Sequence, residues 1–87
     1  METEHKLSEL EDAITNEKRQ AAREMQSEIW VDGMLEGIET DILADAAIAT
    51  ALEELVDESG EDAALAAIDE IRQRLVAGEF TRIRTLQ

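Results

Sequence analysis

The chain has 87 residues, 44% of them hydrophobic, and a formal net charge of −14. A sequence this short makes one small domain at most, with little core of its own. It contains no cysteine, which excludes disulfides, thiolate metal sites and thiol nucleophiles.

Alanine, leucine and isoleucine dominate the apolar residues, proline is absent, and the only aromatics are Trp30 and Phe80. That vocabulary favours helices over strands. The high net charge makes disorder the competing expectation. Three segments with apolar periodicity and end signals argue against it, so an all-α fold is predicted. Met1 is followed by Glu2, Thr3, Glu4 and His5, unlike the charged-then-apolar start of a signal peptide. The longest stretch without charge, residues 46–52, is far too short for a bilayer span. A cytoplasmic protein with no membrane partner is expected.

The first helix is expected from about residue 9 to about residue 36. Ser8 and Glu11 have the spacing of a capping box, in which a hydroxyl and a carboxylate satisfy orphan amides at a helix start. Leu10, Ile14, Ala21, Met25 and Ile29 follow at steps of three, four or seven, as one apolar stripe requires. Glu17, Lys18, Arg19 and Gln20 thin the stripe, and it thickens again through Trp30, Val31 and Leu35. Gly37 reads as the left-handed residue after the last turn, with Gly33 as an earlier stop.

The second helix is expected to start at a Thr40 cap, with Asp41 and Asp45 near the positive end of its dipole. Ile42, Ala46, Ala49, Leu52 and Val56 make one face, with Ile48 and Leu55 beside it, and Gly60 stops it. Ser59 and Asp62 have capping-box spacing for the third helix, whose stripe is Leu65, Ile68, Ile71, Leu75 and Val76. Arg72 and Arg74 fall near its C-terminal end, and Gly78 terminates it. The short turn predicts an antiparallel hairpin of the second and third helices. The long first helix is expected to pack on that hairpin, and residues 1–8 and 79–87 to be flexible or arm-like. In the tail Thr81, Ile83 and Thr85 alternate with Arg82 and Arg84. That pattern is compatible with a short strand, although a frayed terminus is the preferred reading.

A helix of about 28 residues spans roughly 42 Å, against roughly 26 Å for one of about 17. Leu7, Leu10 and Ile14 would then have nothing in the chain to bury against. Self-association is expected, with a C2 dimer as the commonest closed form. Leu10, Ile14, Met25, Ile29 and Trp30 are the candidate interface.

The charge is unevenly spread. Residues 1–38 hold ten acids and four bases, 39–62 nine acids and no base, and 63–87 three acids and four bases. Such a surface repels nucleic acid and anionic lipid, so no direct nucleic-acid binding is expected. Asp41, Asp45, Glu53, Glu54, Asp57 and Glu58 are the candidate acidic surface, open to a basic protein partner. Dense carboxylates also fit two other readings, an acidic nucleic-acid-mimic decoy for a basic protein and an adaptation to high salt.

Catalytic and metal chemistry find little footing. His5 is the sole histidine, so no His-based zinc set can be assembled, and it is expected to be solvated. The cluster from Glu53 to Asp62 lacks the ligand order of a calcium loop. Asp32 with Glu36, and Asp41 with Asp45, read as solvated, mildly repulsive faces. The Gly33–Gly37 spacing reads as helix termination, since acids flank it. Serines 8, 27 and 59 have no base nearby in sequence, tyrosine is absent, and no glycine-rich phosphate loop exists. No catalytic, cofactor or metal residue is assigned. The reading is a small acidic, non-catalytic helical protein acting as an oligomeric interaction or regulatory module. An accessory enzyme subunit or weak metal binder is the further alternative.

Overall fold

The computed structural model describes residues 2–82. It is all-α: α1 spans Glu2–Leu35, α2 Thr40–Ser59 and α3 Glu61–Val76, with no strand among the described residues. Two compact units divide the chain, residues 1–44 and 45–87.

The first unit holds α1 and the opening turn of α2. α1 starts seven residues before the expected point, so Ser8 lies inside the helix and does not cap it. No glycine or proline precedes Ser8. His5 Nε2 lies 2.9 Å from Glu9 Oε1, one turn along the same face. Residues 2–8, the segment expected above to be flexible or arm-like, belong to α1.

The other end of α1 follows its glycine signal. Gly37 adopts φ +84°, its amide donates to the Met34 carbonyl at 3.0 Å, and the Ile38 amide reaches back to the Gly33 carbonyl at 3.1 Å. This is the paired bonding of a Schellman end, and it satisfies two carbonyls that a helix terminus would otherwise leave bare. Gly33 has a different role from the stop envisaged for it. It is helical and buried, and a Cβ built there would stand 2.5 Å from Leu43 Cδ2. The glycine lets the first turn of α2 approach the α1 backbone.

α2 begins with Thr40 already helical, so the expected threonine cap is replaced. Asp41 Oδ1 accepts the Ile42 amide at 3.0 Å, and the Glu39 carbonyl accepts the Leu43 amide at 3.0 Å.

In the second unit the rest of α2 and α3 form the antiparallel hairpin. Ser59 is the last residue of α2, so it cannot cap α3 as expected. Gly60 takes the cap position, with φ 89° and no side-chain cap bond. Only one residue separates the helices, which leaves no room for a separate capping box. Ala63, Ala64 and Ala67 bring the α3 backbone close to its neighbour, and Ala64, 5% exposed, is the most buried of them. α3 ends as α1 does. The Gly78 amide donates to Leu75 and the Glu79 amide to Arg74, both at 3.1 Å. Residues 77–80 form a turn, while Ile83, Arg84 and Thr85 of the expected tail lie outside the described residues.

Candidate functional site

The residues singled out for chemistry or contact fall into two groups on the surface. The first is the stripe of α1. A helix advances 100° per residue, so Leu7, Leu10, Ile14, Lys18, Ala21, Met25 and Ile29 share one arc of its surface. The structure leaves that arc open: Leu10 is 58% exposed, Ile14 47%, Met25 62% and Ile29 61%. Trp30 belongs to a different face and is half-buried. It borders a shallow surface hollow with Ala22, Arg23, Gln26 and Ser27. The five candidate interface residues are thus split: four form one stripe, and Trp30 stands apart from it.

The second group is the acidic band. Asp41, Asp45, Glu53, Glu54, Asp57 and Glu58 all lie on α2 and all are exposed. None of the six is in an ion pair with a described residue. They do not converge: among the described residues no three of His, Cys, Asp or Glu are grouped so as to hold a metal ion. Their arrangement is a charged helix surface, suited to long-range attraction of a cationic group.

Sequence reasoning missed the third feature, a groove along the α2–α3 hairpin of about 450 Å³. Small Ala47, Ala51 and Ala67 line it together with larger Ile48, Ile68 and Ile71. Leu52 and Leu55 complete the lining from α2, so the surface is almost wholly aliphatic. The signal in the sequence was the alanine content of both helices.

A further cluster closes the C-terminal end of α3. Arg74 Nε and Nη2 donate to Glu79 Oε2 and Oε1 at 2.9 and 2.8 Å, a bidentate pair. The guanidinium also lies 4.9 Å from the centre of the Phe80 ring. The bond to Glu79 raises the Arg74 pKa above the ordinary arginine value, so this cation stays charged throughout the usual pH range.

No helix among the described residues is long and apolar enough to cross a membrane. Comparison of the chain with protein-family models, with curated proteins and with solved structures finds no match.

Proposed function

We propose that this chain is a non-catalytic helical interaction module that works as an oligomer, a dimer in its simplest closed form. One observation carries the reading. Among the described residues Ala64 is the only buried hydrophobic one, while seventeen large hydrophobic side chains stay exposed. Most of these retain about half of their surface in water. Full burial of such a side chain stabilises by about 1.5–3 kcal/mol, so covering the remainder yields on the order of 1 kcal/mol each. Ordered helices with so thin a core acquire their stability by covering those faces with protein.

Sedimentation equilibrium across a protomer concentration series tests the proposal, with far-UV circular dichroism recorded on the same samples. The expected result is a dimer or higher species whose dissociation on dilution is accompanied by loss of helix. A monomer that keeps all three helices at micromolar concentration refutes it.

The exposed acids of α2 favour a second contact, with a basic protein, in the cytoplasm expected for this chain. A complex held by them should weaken steeply as salt rises, because the Debye length falls to about 3 Å at 1 M. One held by apolar docking alone should not.

A further inference from the structure

Most of α1 has no cover within its own chain: every residue from 3 to 29 is exposed. A helix draws most of its stability from packing of its apolar face, so the cover comes from another molecule. The stripe on that face has a regular period. From Leu7 to Ile29 it advances by steps of 3, 4, 4, 3, 4 and 4, which is 11 residues for every three turns. That period is so close to the helix's own that two such stripes stay face to face with little supercoiling, here over roughly 33 Å.

Size and charge along the stripe complement each other when it is reversed about its middle. With a two-fold axis between Glu17 and Lys18, Leu7 comes opposite the partner's Ile29, Leu10 opposite the partner's Met25, and Ile14 opposite the partner's Ala21. The one small residue thus faces a large one. At 100° per residue one edge of the stripe carries Lys6, Glu17, Glu24 and Glu28, and the other Glu4, Glu11, Ala22 and Gln26. In an antiparallel pair each edge runs against its own reverse. Lys6 then comes opposite the partner's Glu28, Glu24 opposite the partner's Ala13, and Glu11 opposite the partner's Gln26. Glu17 meets its own copy at the axis, where the Lys18 side chains of both copies stand beside it. Lys6, Lys18 and Glu28 are in no ion pair with a described residue. Lys18 has no acid one turn away in its own helix, its neighbours there being Ile14, Thr15, Ala21 and Ala22. A parallel pair would instead set Lys18 against Lys18 and Ala21 against Ala21. It would also send two stretches of residues 39–62, each with nine acids and no base, out of the same end. Antiparallel pairing sends them out of opposite ends, roughly 50 Å apart and several Debye lengths from each other.

We propose that α1 pairs with α1 of a second copy of this chain, antiparallel, with the two-fold axis between Glu17 and Lys18. Each contact away from the axis is then made twice, as a closed two-fold interface requires. This rests on the oligomer proposed above and adds the surface, the direction and the register.

The chain has no cysteine, so single cysteines report the pairing. Full chains carrying Leu10→Cys or Met25→Cys are equilibrated in a glutathione redox buffer, separately and mixed. Antiparallel pairing puts positions 10 and 25 opposite each other, so the mixture should form a disulfide-linked heterodimer. Like positions stand roughly 22 Å apart along the axis, beyond the reach of about 7 Å between Cα atoms that a disulfide allows. Either variant alone should therefore stay unlinked. A charge swap checks the register. Lys6→Glu and Glu28→Lys should each raise Kd by about threefold, and the double variant should regain the parent's affinity. Glu28→Lys is the sharper single change. It moves the net charge from −14 to −12, since one reversal changes the charge by two, so a dimer governed by net charge would tighten. Sedimentation equilibrium reads each Kd, and circular dichroism shows that the helices of each variant form.

If the parent is dimeric but either cysteine variant links to itself, or the mixture does not link, the antiparallel pair is overturned and the oligomer stands. A double charge variant that binds no tighter than the single ones overturns the register in the same way. A parent that is monomeric throughout overturns both readings.

Discussion

Adding one methyl group at Gly33 sets two effects of opposite sign against each other. In an open helix interior, glycine to alanine stabilises by about 0.5–1 kcal/mol, because alanine loses less backbone entropy on folding. At Gly33 the new Cβ would meet Leu43, with Cδ2 at 2.5 Å, Cδ1 at 3.2 Å and Cγ at 3.4 Å. Leu43 must rotate away or the two segments must part, and overpacking of this kind costs about 1–3 kcal/mol. The balance is a net destabilisation of about 1 kcal/mol for Gly33→Ala. In a Leu43→Ala background the obstructing carbons are gone, so the same change should stabilise by about 0.5–1 kcal/mol. The double-mutant cycle should then show a coupling of about 2 kcal/mol, within the range of residues in direct contact. Urea unfolding followed by circular dichroism measures it, at one fixed protomer concentration because association shifts apparent stability. If Gly33→Ala stabilises equally in both backgrounds, Gly33 is not a packing glycine and the account of the first unit fails.

Gly37→Ala places a side chain at φ +84° and should cost about 1–2 kcal/mol, read as a lowered urea midpoint. An unchanged midpoint would show that the α1 end does not depend on that conformation. Arg74→Gln removes the pair with Glu79 and the contact with Phe80, and should speed hydrogen exchange at the Glu79 and Thr81 amides while the middle of α3 stays protected. The Arg74 pKa is raised, so this pair's contribution is complete below the ordinary arginine pKa and is lost only as pH rises through the higher folded value. Exchange at those amides, corrected for the intrinsic rate, should therefore not change between pH 7 and 10. Leu10→Asp and Ile14→Asp should each weaken self-association by about 1–2 kcal/mol, seen as a shifted midpoint in a dilution series. Retention of the parent's affinity by both would remove the α1 stripe from the interface.

Much of the architecture was legible because helix periodicity and glycine ends are local properties. Gly37 and Gly78 end their helices as read, since the Schellman bonds join residues only a few positions apart. The α1 stripe of Leu10, Ile14, Met25 and Ile29 was likewise visible from spacing alone. The caps were not. Ser8 and Ser59 have the right neighbours in sequence, yet a capping side chain acts only where the backbone leaves the helix. At Ser8 it does not, and at Ser59 the turn leaves room for Gly60 alone.

The sequence by itself determined an all-α chain of three helices, its uneven charge and the apolar residues that demand cover. Tertiary structure decided the rest, because packing depends on which faces meet. Gly33 became a contact with Leu43 instead of a stop, since only the approach of α2 gives its missing side chain a purpose. Alanines 47, 51 and 67 became the lining of a groove, since a concave surface exists only once two helices lie side by side. Trp30, grouped with the stripe by chain position, became half-buried while the stripe stayed open, since two faces of one helix meet different surroundings.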